Sequence, residues 1–288
     1  RDNPFYKDLP GLSVLLGGMW IANLSYWGFN QYIIQRALAA RNLHEAQKGV
    51  VFAAFLKLLI PAIVVLPGIA AVMLAPGLER PDAAYPTMLA LLPSGILGLV
   101  FAALVAAIVA SLASKINSVA TIFTLDFYAK RVPDAPQARL VRVGRLAASI
   151  AILVAVLTAR PLLGGFDQGF QYIQEFTGFF TPGIVVIFLL GLFWKRANEA
   201  GALAAAVGSF VLSLAFKLLW PSLPFLDRMG VVFLATLLLG VGVALATRAS
   251  GDRDRIRTDD VGYATAPSFN IASLAVLAIL VALYATYW

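Results

Sequence analysis

The sequence predicts an all-α integral membrane protein with about eight transmembrane helices, some of them interrupted at mid-membrane. Composition, the length of the apolar runs and the placement of basic residues carry that prediction. Of 288 residues, 60% are hydrophobic and 13% charged, where a soluble domain has about 45–50% apolar and about 25% charged residues. This excludes a soluble globular domain, a nucleic-acid-binding module and a disordered tail, despite the formal net charge of +7. Cysteine is absent and there is one histidine, so no disulfide framework exists and most routes to zinc chemistry are closed.

A helix needs about 20 mostly apolar residues to cross the hydrocarbon, because lipid offers no partner to open backbone groups. Eight segments qualify: 11–36, 50–75, 94–124, 143–163, 168–193, 200–220, 229–249 and 268–287. Residues 85–114 and 261–288 contain no charged side chain. The fourth segment is the least apolar, with Arg145 and Arg160 near its ends, where their stems can snorkel outward.

Basic residues then set the orientation. The connections after the first, third, fifth and seventh segments carry Arg36, Arg41 and Lys48; Lys130, Arg131, Arg139, Arg142 and Arg145; Lys195 and Arg196; and Arg248, Arg253, Arg255 and Arg257. The opposite side has only Arg1, Lys7, Arg80, Arg160, Lys217 and Arg228. The richer side is expected to be cytoplasmic, which puts both chain ends outside and locates the protein in the cell (inner) membrane. The chain starts at Arg1 in the polar stretch RDNPFYKDLPG, which reads as an extracellular loop entered partway. The stretches 125–142 and 248–267 are the longest polar connections, and Asp252 to Asp260 reads as solvated connector.

Two segments carry breaks that a plain anchor would lack. The first, GLSVLLGGMWIANLSYWGFNQYIIQ, places Asn23, Ser25, Tyr26, Gly28, Asn30 and Gln31 in its middle; the fifth, FQYIQEFTGFFTPGIVVIFLLGLFW, has Thr177-Gly178 and Thr181-Pro182-Gly183 at mid-depth. Broken helices of this kind build midplane sites in many secondary transporters. The alternative is a Gly/Pro kink filled by neighbouring helices. Lys57 lies about eight residues, or roughly 12 Å of helix, into the second segment. A charge there costs at least about 2.5–3.5 kcal/mol on insertion scales, so it either faces a polar cavity or snorkels. Gln174 can donate and accept, as a polyhydroxyl ligand requires, while Glu175 either caps broken backbone or meets a lysine. On the third segment Ala103, Ala107, Ser111 and Lys115 recur every fourth residue. That stripe suits close helix packing or, through a hydroxyl and freed carbonyls, a small monovalent cation. Tyr26, Trp27 and Phe170 fit core, interfacial or site roles equally, and His44 reads as a solvated loop residue. No nucleophile–base constellation or phosphate-cradling loop is present, so an enzyme is not expected.

The runs NLSYWGFNQYIIQRALAARNLHEAQKGVVFAAFLKLL, GLVFAALVAAIVASLASKINSVATIFTLDFY and FDQGFQYIQEFTGFFTPGIVVIFLLGLFWK resemble the sodium/solute symporter family, and most of all its bacterial sodium/galactose (sodium/glucose-type) branch. The resemblance extends to the final FNIASLAVLAILVALYATYW. It implies a leucine-transporter-type fold of two inverted five-helix repeats, with 1–193 as the second repeat, 194–288 as three peripheral helices, and the first repeat missing from this chain. Position by position it implies that Asn23, Lys57 and Gln174 bind sugar hydroxyls, that Tyr26 is an inner gate and that Phe170 is an outer lid. It further implies that the Ala107 carbonyl and Ser111 bind sodium, the coupling ion, with no other cofactor. The partners expected are a small sugar, sodium, the bilayer and the missing repeat, and no nucleic acid. The resemblance also implies a hydroxyl residue, usual in the family, at the position of Ala110, and its loss here leaves proton coupling as an alternative. An organic acid, amino acid or polyol as cargo, or a transporter-like solute sensor, are the other readings.

Overall fold

The computed structural model describes residues 11–78, 80–163, 169–247, 262 and 264–287, without the side chains of Leu16, Arg160, Leu162, Leu163, Phe170, Gln171 and Tyr287. The polar opening, most of the 248–267 connector and the Phe170 ring therefore lie outside the described residues. Every regular element among the described residues is helical. Six helical segments are long and apolar enough to cross a membrane, or seven if one bent pair is a single span.

The first predicted span is divided into α1 (Leu12–Leu16), α2 (Gly18–Leu24), a π-helical turn (Ser25–Phe29) and α3 (Gln31–Leu38). Gly17, with φ −118° and ψ −102°, separates the first two, and extended Asn30 separates the turn from α3. The second span starts earlier than its hydropathy implies. Its first helix, α4 (Leu43–Lys57), is capped by the Asn42 side chain, which accepts from the Glu45 amide at 2.9 Å. It is interrupted at Leu58 and Leu59 and resumes as α5 (Ile60–Leu74), with Pro61 in the first turn, where a missing N–H is harmless. Lys57 thus sits at the end of a helix, favourably placed for the dipole, and well inside the 32-residue span Leu43–Leu74.

After the short α6 (Ala84–Ala90), α7 (Ser94–Thr121) runs into a π-helical turn (Ile122–Tyr128) and the single turn α8 (Ala129–Arg131); α9 (Gln137–Leu163) returns. Next come α10 (Gly169–Gly178) and α11 (Thr181–Phe193), which bend by 43° about Phe179 and Phe180. The predicted break is therefore present, with Pro182 in the first turn of α11 rather than inside a helix. The chain finishes with α12 (Glu199–Leu219), α13 (Phe225–Ala246) and α14 (Pro267–Tyr287).

These elements form two units. One takes its described residues from Arg1–Ile34 and Phe170–Ala264, the other from Gln35–Gly169 and Thr265–Trp288. The first holds a core of Ile21, Val185, Val186, Ala205, Met229 and Phe233. Small residues let its helices touch: a Cβ on Gly18 would lie 2.1 Å from the Leu226 carbonyl oxygen, and one on Gly201 would lie 2.7 Å from that of Gly240. Asn198 clips α12 to α13, accepting from the Gly201 amide at 2.9 Å and donating to the Ala244 carbonyl at 3.1 Å.

In the second unit α7 packs against α9, and α14 against α4, where the Ala266 amide donates to Gln47 Oε1 at 3.2 Å. Its long helices keep most of their apolar side chains exposed, as expected of surfaces meant for lipid or for other helices.

Candidate functional site

The interrupted helices of the first unit carry Asn23, Tyr26 and Gln174. Half-buried Asn23 donates its side-chain amide to the Met19 carbonyl at 2.8 Å, one turn back, just before the π-helical turn. Tyr26 is on that turn; its ring is half exposed and its hydroxyl is hydrogen-bonded to that of Tyr32. Phe29, at the end of the turn, stacks on Phe188 of α11 with centroids 4.5 Å apart and rings 4° from parallel. The turn that positions Tyr26 is therefore fastened to the second half of the other broken helix. Pi turns free backbone groups and recur at functional sites.

At the α10–α11 break the freed backbone groups are met by one hydroxyl. Ser209 of α12, fully buried, donates to the Phe179 carbonyl at 2.8 Å and accepts from the Gly183 amide at 3.0 Å. Ser213, one turn on, reaches the same carbonyl at 3.5 Å. A break in an apolar segment is tolerated where protein satisfies its backbone groups, as Ser209 and Ser213 do here.

Gln174 is exposed on α10. Its neighbour Glu175 meets two cations on one oxygen: Arg228 at 2.8 Å and Lys217 at 3.0 Å. The sequence had left open whether Glu175 meets a lysine or caps backbone. It pairs with a lysine and with an arginine the sequence reading had counted only as an orientation charge. Nothing local in the sequence marks either cation, because Arg228 lies 53 residues from its partner.

Lys57, Ala107 and Ser111 belong to the second unit. Lys57 is exposed at the α4 terminus. Ala107 and Ser111 occupy successive turns of α7, and both are exposed. The buried side of α7 lies instead at Ser118. The stripe of small residues is therefore not what packs α7 within its own unit. One turn beyond Ala110, Ser114 donates to the Ala110 carbonyl at 3.1 Å and accepts from Arg36 at 2.8 Å.

A model of the sodium:solute symporter family matches residues 2–208. The chain is 47% identical over 307 aligned residues to the sodium/glucose cotransporter of Vibrio parahaemolyticus, covering 100% of this chain and 56% of that protein. It is 39% identical over 234 residues to the human sodium/myo-inositol cotransporter 2, covering 74% of this chain and 34% of that protein. It is 37% identical over 242 residues to a sodium/mannose cotransporter of Bos taurus, covering 75% of this chain and 40% of that protein. The chain thus spans about half the length of the first of these relatives, and less of the others.

Proposed function

Given that the chain belongs to the sodium:solute symporter family, we propose that it forms part of a sodium-coupled sugar importer working by alternating access. The observation that carries this reading is the pair of broken helices: α2 with its π turn, and α10–α11. Tyr26 lies on the π turn, and Asn23 and Gln174, also hydrogen-bonding side chains, lie on the helical segments α2 and α10 that lead into the two breaks. Similarity to relatives named for glucose, mannose and myo-inositol supports a polyhydroxyl cargo.

In this reading Asn23, Lys57 and Gln174 hydrogen-bond sugar hydroxyls, Tyr26 gates the inner exit and Phe170 covers the outer side. The Ala107 carbonyl and the Ser111 hydroxyl offer hard oxygen ligands to sodium. Sodium entering with the sugar must favour the sugar-competent state, since a ligand indifferent to state shifts nothing. The whole protein adds an inverted five-helix repeat to residues 1–193, and 194–288 supply peripheral helices. Both ends of this chain face the outside of the cell (inner) membrane, as the basic loops suggest. The chemistry is transport, with no bond made or broken.

The test is uptake by the transport-competent protein in liposomes of galactose, glucose, mannose and myo-inositol, with and without a sodium gradient. Saturable sugar uptake that disappears when the gradient is collapsed supports the proposal. Uptake indifferent to sodium but driven by a proton gradient, or confined to organic acids or amino acids, overturns it. The relative named for myo-inositol favours a second cargo within the same mechanism, a cyclic polyol, which the same panel resolves.

A further inference from the structure

We propose that Arg228 and Lys217 are positioning residues for the sugar contact of Gln174, acting through the Glu175 carboxylate; this rests on the assignment of Gln174 to the sugar. The helix that carries Gln174 is ten residues long and stops at Gly178, and the chain resumes as helix only at Thr181, after a 43° bend. Turn hydrogen bonds link it to α11, from the Phe180 amide and from the Thr181 hydroxyl to the Thr177 carbonyl, each at 3.0 Å, and sideways contacts add to what sets its rotation about its own axis.

Those contacts converge on one face. Arg228 Nη2 and Lys217 Nζ reach the same Glu175 oxygen, at 2.8 Å and 3.0 Å. Both cations also lie over the Phe179 ring, at 5.5 Å and 5.7 Å from its centroid. Gly178 fits against Met229, whose sulfur would be 3.2 Å from any Cβ added there. The Phe179 carbonyl is tied to Ser209.

Arg228 is only 6% exposed, and a guanidinium so buried must keep its anion, because losing the partner leaves an uncompensated charge. Packing alone would be served as well by apolar residues of similar volume. What the charged contact adds is direction: a single carboxylate oxygen held by two cations resists rotation of α10. Gln174 is the adjacent residue, about 100° round the helix. A turn of about 20° would swing a side-chain tip 5–6 Å from the axis by roughly 2 Å. A misplacement of that size is enough to lose a hydrogen-bonding geometry.

The experiment is sodium-driven galactose uptake by the reconstituted transport-competent protein carrying Arg228→Gln, Glu175→Gln, Arg228→Lys or Gln174→Ala. Sugar half-saturation, sodium half-saturation and maximal rate are read separately, with melting temperature in detergent. Arg228→Gln and Glu175→Gln are expected to raise the sugar half-saturation concentration roughly tenfold, toward that of Gln174→Ala, with sodium half-saturation unchanged. Arg228→Lys, which keeps the charge and one donor, is expected to restore most of it. If Gln174→Ala weakens sugar binding and Arg228→Gln does not, the positioning role is wrong and the sugar assignment stands. If Arg228→Gln lowers sugar affinity, sodium affinity and melting temperature together, or Arg228→Lys rescues nothing, the pair is only a fold contact and the proposal fails. Absence of sodium-driven uptake in the parent protein, or an unaffected Gln174→Ala, overturns both readings. Should Arg228→Gln not reach the membrane, Glu175→Asp, with an arm one methylene shorter, decides: about threefold weaker sugar half-saturation supports the proposal and no change refutes it.

Discussion

Replacing Ser209 by alanine tests whether the α10–α11 break is a built feature. The substitution removes one hydroxyl and with it two hydrogen bonds, to the Phe179 carbonyl at 2.8 Å and from the Gly183 amide at 3.0 Å. Ser209 is fully buried, so water does not replace it. An unsatisfied buried group costs about 1–3 kcal/mol, whereas interhelical polar contacts in membrane proteins average only about 0.6 kcal/mol. The Gly183 amide loses its partner outright, while the Phe179 carbonyl retains the long contact from Ser213 at 3.5 Å. Taken together, the loss should be about 2 kcal/mol, with Ser213→Ala costing about 0.5 kcal/mol or less because its contact is at the limit of hydrogen bonding. The assay is reversible unfolding of the purified protein in mixed micelles titrated with sodium dodecyl sulfate, followed by tryptophan fluorescence. Equal effects of the two substitutions, or a Ser209→Ala change below about 0.5 kcal/mol, would refute the idea that this serine completes the broken helix.

Other substitutions probe the rest of the account. Gly18→Ala puts a methyl 2.1 Å from the Leu226 carbonyl oxygen, which neither helix can yield without separating. It should destabilise by about 1–3 kcal/mol in the same unfolding assay, and Gly28→Ala, with only the Leu24 side chain at 3.6 Å, should do far less. Asn198→Ala removes the α12 cap and the clip to Ala244, an expected loss of about 1–2 kcal/mol. Ser111→Ala should raise the sodium half-saturation of uptake roughly tenfold while leaving sugar half-saturation at saturating sodium nearly unchanged.

Much of the fold was legible because membrane helices announce themselves by length and apolarity, and because glycine, proline and clustered polar residues mark where such helices cannot continue. Both broken segments were found that way. The start of α4 was missed by seven residues because its first turns, LHEAQK, are polar; there the Asn42 cap, not hydropathy, decides where the helix begins. The interruption after Lys57 was missed as well, since Leu58 and Leu59 carry no breaking signal. The π-helical turns have no local signature either, and the one bearing Tyr26 ends in a stack on Phe188, far away in the chain. Glu175 stood out as an intramembrane acid, but its partners did not: Lys217 and Arg228 flank their own apolar segments and look like ordinary orientation charges until the chain is folded.

The claim on which all of this depends is that intramembrane side chains of the interrupted helices bind the cargo. The most direct measurement is sodium-driven galactose uptake by the transport-competent protein with Lys57→Ala and Gln174→Ala combined, at matched amounts of protein in the membrane. The account predicts a sugar half-saturation raised by about two orders of magnitude, or uptake lost, with the variant still folded and inserted. Uptake with the parent's half-saturation and rate would contradict it.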